Sequence, residues 1–126
     1  GKPIRVSQTA QLIDAMMVTG FRHSLLDTSR SNIQNFERVN RACQTVRRLG
    51  SAALDLAYVA CGRIDGFWEI ALYSWDVAAG ILIAREAGAI VEHMHPQGDL
   101  LAPIVDIVAA NPVLFPAFRT LISDGL

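Results

Sequence analysis

Two stretches of this chain, "AALDLAYVACG" and "WDVAAGILIAREAG", have helical composition but carry apolar residues around almost their whole circumference. A helix that is apolar on nearly every side has to be covered on more than one side. Ser51 is a favourable N-cap for the first helix, and Gly62 and Gly88 are expected to end the two helices. Either another subunit or another part of the same protein must supply the cover that 126 residues cannot.

Short segments with strand character alternate with these helices along the chain. Gly20 is expected to end the segment "AQLIDAMMVTGF", whose apolar run does not distinguish a helix from a strand. The segments expected to be strands are "PIRVS", "TVRRLGS", "IDGFWEIALY", "AIVEHMH" and "PIVDIVAAN". This alternation predicts one layered α/β domain over residues 1–126, with a mixed β-sheet flanked by helices.

Two more helices complete the prediction. A polar helix is expected over residues 31–43, with Ile33, Phe36 and Val39 on its buried stripe. A final helix is expected to follow Asn111-Pro112 and to run through Leu121.

Composition narrows the class of protein. The net charge of −1 gives no reason to expect binding to nucleic acid. No run of about 18 apolar residues is present, so we expect no membrane span, and no secretory signal is recognisable. Cys43 and Cys61 lack the spacing of metal ligands, which favours two reduced, packed thiols in a cytoplasmic protein.

Two acidic residues lie where apolar residues are expected. Asp76 falls in the first turn of the second apolar helix, where a carboxylate either stabilises the helix terminus or takes part in chemistry. Gly80, inside the same helix, indicates close packing, because glycine there costs about 1 kcal/mol relative to alanine. Glu69 lies within the strand "FWEIALY", where it is either a solvated edge carboxylate or a buried functional one.

Three further features are weaker signals. At Gly50, Ser51 and Ala52 a strand gives way to a helix, and free N–H groups at such a junction can bind an anion or a hydroxyl. Arg47 and Arg48 precede this turn and suit either a phosphate or an ion pair between subunits. The pair His93 and His95 lies on one strand face, which we interpret as surface, because zinc needs a third ligand.

Residues 47–88 as a whole resemble the inositol monophosphatase family of magnesium-dependent phosphatases. The similarity rests on the glycine-serine-alanine turn, on the strand "G-x-x-D-G-F-W-E" and on the helix start "W-D-x-A-A-G", which follow one another in the family's order. The segments "GKPIRVS" and "IVAANP" also resemble parts of that family.

The resemblance implies a role for each candidate residue. It implies that Asp76 is catalytic and binds Mg²⁺, that Glu69 hydrogen-bonds a substrate hydroxyl, and that Gly50, Ser51 and Ala52 line the substrate pocket. It also implies a homodimer.

The family's metal-binding "D-P-x-D-G-T" motif does not occur in these residues, so the chain resembles the C-terminal half of such an enzyme. We therefore expect part of a phosphomonoesterase that acts on inositol phosphate or a related small ester, with Mg²⁺ as cofactor. Its partners would be the N-terminal half and a second copy, and we expect this chain to be inactive alone. The alternative is a non-catalytic interaction or dimerisation module that retains the fold. The sequence does not distinguish among the possible phosphate esters.

Overall fold

The computed structural model describes residues 1–21 and 26–123, with the side chains of residues 26–31 and 123 left out of the description. A 3-10 turn at Leu12–Asp14 precedes the first strand. The helices are α1 (Leu26–Ala42), α2 (Ala52–Ala60), α3 (Ser74–Glu86) and α4 (Phe115–Ser123). The strands are β1 (Met16–Thr19), β2 (Thr45–Arg47), β3 (Gly66–Tyr73), β4 (Ile90–His93) and β5 (Ile104–Ala110).

The five strands form one mixed sheet in the order β2-β1-β3-β5-β4. Strand β1 runs parallel to both β2 and β3, whereas β5 runs antiparallel to β3 and β4. The longest strand, β3, therefore lies at the centre, with a parallel neighbour on one side and an antiparallel neighbour on the other. This mixed sheet flanked by helices confirms the fold class predicted from the sequence.

Helices cover both faces of the sheet. One core contains Leu56 and Val59 of α2, Val77 and Ile81 of α3, and Phe67 of β3. The other core joins α1 and α4 to the opposite face; its members include Val39, Trp68, Val108, Phe118 and Ile122. Neighbouring strand residues such as Phe67 and Trp68 point to opposite cores, as the alternation of a strand requires. The result is a three-layer arrangement in which β3 is buried on both faces.

Helices α2 and α3 approach each other closely at Gly80. A Cβ atom at Gly80 would lie 2.9 Å from both the Cβ and the Cδ1 of Leu56. This distance is shorter than ordinary carbon contacts, so the absence of a side chain lets the helices pack at their present separation. The close packing expected from a glycine inside this helix is therefore present.

Gly62 and Gly88 end these helices as expected, and both adopt positive φ angles, of 81° and 105°. The N-cap at Ser51 is also present, with its Oγ accepting the N–H of Leu54 at 3.3 Å. Local chemistry thus sets the limits of both apolar helices.

The prediction of a strand at "PIRVS" is wrong. Residues 3–7 form no strand, and their backbone contact with the folded core is a bond from the Val6 N–H to the Ala87 carbonyl, at 3.1 Å. The segment continues past the end of α3, and Asn111 donates to the Ser7 Oγ at 3.1 Å. Side-chain bonds and the helix end therefore hold this segment, and it does not extend the sheet.

The buried stripe predicted for α1 is also partly wrong. Ile33 is 57% exposed, whereas Asn32 and Asn35 are buried together with Val39. Asn32 accepts the indole N–H of Trp68 at 2.6 Å and donates to the Gly20 carbonyl at 2.7 Å. A buried polar group that is fully hydrogen-bonded costs little, so the helix turns its asparagines inward.

The outer sides of α2 and α3 remain apolar and exposed. Leu82 is 61% exposed, Leu54 is 44% exposed and Ile83 is 43% exposed. Within the described ranges, every helix falls short of the length and apolar character needed to cross a bilayer. These side chains therefore form an uncovered apolar surface on an otherwise packed helix pair.

We predict that substituting Gly80 with alanine destabilises the fold, although alanine has a helical advantage of about 1 kcal/mol. The added methyl group overlaps Leu56, so the free energy of unfolding should fall by about 1–3 kcal/mol in urea titrations. The double variant Gly80→Ala/Leu56→Ala should lose less than the sum of the two single losses, because the smaller side chain makes room. Additive losses would show that overlap with Leu56 is not the cause of the destabilisation by Gly80→Ala.

We also predict that the isolated chain self-associates through the apolar surface of α2 and α3, since exposed patches of this kind drive association. Sedimentation velocity over a concentration series should show species larger than a monomer. Leu82→Glu should shift the distribution towards the monomer without unfolding the chain. Leu101→Glu is the matched control, because Leu101 is 89% exposed and lies between β4 and β5. Equal effects of the two variants would exclude this surface as the contact.

Candidate functional site

An open cleft of about 780 Å³ lies beside the end of β1, and every site residue predicted from the sequence lines it. Glu69 comes from β3, Asp76 from α3, and Gly50, Ser51 and Ala52 from the turn before α2. The other lining residues are Gly20, Phe21, Arg48, Leu49, Ala53 and Leu72. Three segments that are separate in sequence therefore converge on one concave surface.

The turn from β2 to α2 depends on Gly50. Its φ angle of +87° lies in the left-handed region, which glycine adopts without strain. This conformation allows Ser51 to cap α2, so the first turn of the helix and Ala52 face the cleft. The turn thus presents a helix N-terminus, where hydroxyl or anionic groups are favoured.

Glu69 is half-buried, and burial raises the pKa of its carboxyl group to about 7, with the charge of Asp55 as a second cause. A Cβ atom at Gly20 would overlap the Glu69 carboxylate and would lie 2.8 Å from its Cδ. The missing side chain at Gly20 therefore provides the space that the carboxylate occupies. Glu69 is therefore not a fully solvated edge residue, and a carboxyl group with a perturbed pKa in a cleft is a candidate for chemistry or binding.

Asp55 is a functional candidate that sequence reasoning missed. Its side chain is 1% exposed, burial raises its pKa to about 6, and no hydrogen-bond donor among the described residues reaches its Oδ1. It lies one turn after Ser51 on α2, and its charge acts on Glu69. The signal was present in the sequence, since Asp55 interrupts a helix that is otherwise almost wholly apolar.

Asp76 lies in the first turn of α3 and is exposed to the cleft. The N-cap residue of this helix is Tyr73, whose side chain makes no capping hydrogen bond. Within the described residues, no hydrogen bond involving the Asp76 carboxylate is found either. The carboxylate is therefore favoured by the helix dipole while its oxygens remain available to a ligand.

Arg48 contributes positive charge to this cleft. Its guanidinium carbon lies 4.6 Å above the centre of the Phe21 ring, which is within the range of a cation–π contact. The sequence left open whether Arg47 and Arg48 suit a phosphate or an ion pair between subunits, and Arg48 is the one of the two that lines the cleft. The centre of the Phe21 ring lies 6.0 Å from the centre of the Phe36 ring of α1.

A buried polar network supports the end of β1 next to the cleft. The Thr19 hydroxyl donates to the Trp68 carbonyl at 2.6 Å, and the Asn32 side chain bonds both Trp68 and Gly20. The network ties α1 to two strands at the level of Glu69, because Trp68 immediately precedes that residue. It thereby fixes the backbone of Gly20 against the carboxylate.

His93 and His95 lie away from this cleft. The His95 Nε2 is 2.7 Å from the Oδ2 of Asp106, and the two imidazole rings are 5.3 Å apart. Burial lowers the pKa of His93, with smaller contributions from its neighbours. The two histidines therefore lie at the far edge of the sheet, where His95 contacts Asp106 of β5.

The donor set of the cleft suits a hard cation only in part. Carboxylate oxygens such as those of Asp76 are the ligands that Mg²⁺ prefers. Among residues 1–21 and 26–123, however, no group of three or more His, Cys, Asp or Glu side chains is arranged to hold a metal ion. Asp76 thus offers carboxylate oxygens to a cation, but the described residues around it do not form a complete metal site.

Comparison with known proteins identifies the fold and its relatives. The model of the inositol monophosphatase family matches residues 1–124. An inositol-1-monophosphatase from Synechocystis is 51% identical over 90 residues, which cover 71% of this chain and 31% of that protein. The Escherichia coli protein named Nus factor SuhB is 40% identical over 126 residues, which cover 100% of this chain and 47% of that protein.

The solved structures agree with this result. The inositol monophosphatase from Anabaena superimposes with a TM-score of 0.88 at 38% identity, covering 98% of this chain and 48% of that one. The chain thus spans about half the length, or less, of the relatives that it matches.

We predict that the stability of the chain falls as the pH rises from 5 to 8. Acids with raised pKa values in the folded state hold extra protons there, so their contribution is lost as the pH rises through about 6–7. Asp55→Asn should reduce the difference in free energy of unfolding between pH 5 and pH 8 by on the order of 1 kcal/mol, because the carboxyl group of the unfolded chain is already mostly ionised at pH 5. Urea unfolding at several pH values measures this difference.

The exposed carboxylate of Asp14 provides the matched control for this experiment. Asp14→Asn should leave the pH dependence of the wild type nearly unchanged, because it removes a charge outside the buried pair. An identical pH dependence in Asp55→Asn and the wild type would contradict the prediction.

Proposed function

The chain belongs to the inositol monophosphatase family, and from that premise we propose that it forms part of a magnesium-dependent phosphomonoesterase. Its substrate would be inositol phosphate or a related small phosphate ester. The observation that carries the proposal is the convergence of Glu69, Asp76 and the Gly50–Ala52 turn on one cleft. Carboxylates and a helix N-terminus at one concave surface suit an alcohol joined to a phosphoryl group.

Each residue has a distinct role in this proposal. Glu69 accepts a hydrogen bond from a hydroxyl of the substrate alcohol through a carboxyl oxygen. Ser51 and the first turn of α2 line the opposite wall and orient the alcohol. Arg48 contributes positive charge near the phosphate, whereas the other charged residues that line the cleft, Glu69 and Asp76, are acidic.

Asp76 is the residue that we assign to the metal. Its exposed oxygens at the start of α3 would hold Mg²⁺ together with ligands supplied by other residues of the enzyme. When bound, Mg²⁺ supplies charge neutralisation to the phosphoryl group and lowers the pKa of a bound water. The apolar core beneath α3 keeps the position of Asp76 fixed, which is the contribution of this chain.

We propose that residues 1–126 form one domain that corresponds to the C-terminal, substrate-side half of the enzyme. The chain alone is then inactive, because a single carboxylate cannot assemble a site of two or more metal ions. An N-terminal half would bring the other ligands, and a second copy of the protein would make a homodimer. A cytoplasmic enzyme of this kind uses no nucleic acid and no membrane in its reaction.

A second candidate function is that of a non-catalytic interaction or dimerisation module. The exposed apolar side chains of α2 and α3 favour it, since they offer a surface for another protein. One relative is named Nus factor SuhB, which is not the name of a phosphatase. A module of this type has no use for Glu69 or Asp76, so substitutions there distinguish the two candidates.

We predict that Asp76→Asn separates activity from stability in the complete protein. Asparagine keeps the shape of the side chain, so the cost in free energy of unfolding should stay below about 1 kcal/mol. A neutral amide is a poor Mg²⁺ ligand and leaves developing charge unbalanced, so kcat should fall about a hundredfold or more. Phosphate release from inositol 1-phosphate across a magnesium titration, together with a thermal melt, measures both.

Asp99→Asn is the control, because Asp99 is exposed outside the cleft and its Oδ1 accepts the Leu101 N–H at 2.9 Å. That bond survives in the amide, so activity should be unchanged. Residues 1–126 alone should release no phosphate above the level of Asp76→Asn. Near-normal turnover of Asp76→Asn would contradict the metal-binding role of Asp76, whereas a wild type without magnesium-dependent phosphate release would favour the interaction module.

A further inference from the structure

An irregularity in β3 separates Glu69 from the start of α3. The register pairs Glu69 with Ile107 and Leu72 with Val105, so two residues, Ile70 and Ala71, face Asp106 alone. This two-against-one count is a β-bulge, which bends a strand and re-aims the side chains that follow.

The bulge changes which face the strand presents. Phe67 packs in the core towards α2 and α3, whereas Trp68 and Ile70 pack in the opposite core, as alternation requires. Regular alternation would place Leu72 with Trp68 and Ile70. Leu72 lies instead in the core of Phe67 and lines the same cleft as Glu69. The extra residue has therefore reversed the alternation of the strand.

The cleft depends on this reversal. Helix α3 begins at Ser74, two residues after Leu72, and carries Asp76 in its first turn. The direction in which the strand leaves the bulge thus sets the position of Asp76 relative to Glu69. Without the extra residue, the segment that leads into α3 would leave the sheet on the face opposite to Glu69.

The bulge is held by a side chain of the neighbouring strand. Ala71 has a φ angle of +59°, which is unfavourable for a residue with a Cβ and persists only where the surroundings enforce it. The Oδ1 of Asp106 accepts the Ala71 N–H at 2.7 Å. The Oδ2 of Asp106 lies 2.7 Å from the Nε2 of His95, so that the carboxylate is held at both oxygens.

We propose that Asp106, oriented by His95, is a positioning residue for the cleft, acting through the bulge at Ile70 and Ala71. Asp106 is not among the residues that line the cleft, and it lies on the strand next to β3. Its carboxylate fixes the left-handed turn at Ala71, and this turn brings Glu69 and Asp76 to one surface. This inference rests on the proposed function for its effect on catalysis, but not for its effect on the geometry.

The test uses the complete protein with Mg²⁺ and inositol 1-phosphate. Asp106→Ala removes the acceptor of the Ala71 N–H, and kcat/KM should fall about 10- to 100-fold, as small misplacements of site residues do. Asp106→Asn keeps an acceptor oxygen for the Ala71 N–H and should therefore retain most of the wild-type activity. Glu92→Ala is the matched control, because it removes an exposed carboxylate from the sheet edge and should change nothing.

Two double variants separate positioning from general destabilisation. In a Glu69→Gln background, Asp106→Ala should lower kcat/KM much less than it does in the wild type, because the carboxylate that Asp106 helps to position is already absent. Ala71→Gly combined with Asp106→Ala should regain activity, since glycine adopts a positive φ angle without enforcement. If alanine at position 106 lowers the melting temperature below that of the assay, Asp106→Val, which suits a strand, replaces it.

Amide and carboxyl NMR signals of the same proteins report the geometry independently of turnover. Asp106→Ala should shift the signals of Ala71, Glu69, Leu72 and Asp76, and Asp106→Asn should shift them much less. If the wild type has no activity, the proposed function fails while these shifts still support the positioning role. The positioning role would be overturned if Asp106→Ala left these signals unchanged. It would also be overturned if Asp106→Ala were as active as an active wild type.

Discussion

The central strand β3 has to remain buried on both faces while it carries a carboxylate to the edge of a cleft. Phe67 and Trp68 fill the two cores on either side of the sheet, and Glu69 follows them directly. Burial of that carboxyl group is tolerated because Gly20 leaves room for it. Every other part of the candidate site is arranged around this strand, since the β2–α2 turn and α3 approach it from the same side.

Features that depend on neighbours in sequence were predictable. The two apolar helices, the cap at Ser51 and the helix ends at Gly62 and Gly88 follow from local chemistry, and the structure has them. The residues proposed for the site, such as Glu69 and Asp76, were found because a charge in an apolar pattern is conspicuous. The same rule would have found Asp55, whose buried carboxyl group lies in α2.

Features that depend on distant partners were not predictable from one sequence. Asn32 is buried because Trp68, 36 residues later, donates to it, and this contact leaves Ile33 exposed. The bulge in β3 depends on Asp106, 35 residues after Ala71, and "FWEIALY" itself gives no sign of an interrupted alternation. The segment "PIRVS" has the composition of a strand, but neither edge of the sheet pairs with it.

The cleft is costly to the stability of the fold that contains it. Asp55 and Glu69 lose solvation where they lie, and Ala71 adopts an unfavourable backbone conformation. The apolar packing of α2 and α3 against each other and against the sheet offsets these costs. A cation in the cleft would favour the ionised carboxyl groups and so regain part of the stability lost there. A cation bound in the cleft would therefore be linked to the stability of the helix pair, because α2 and β3 carry the carboxyl groups whose ionisation it would favour.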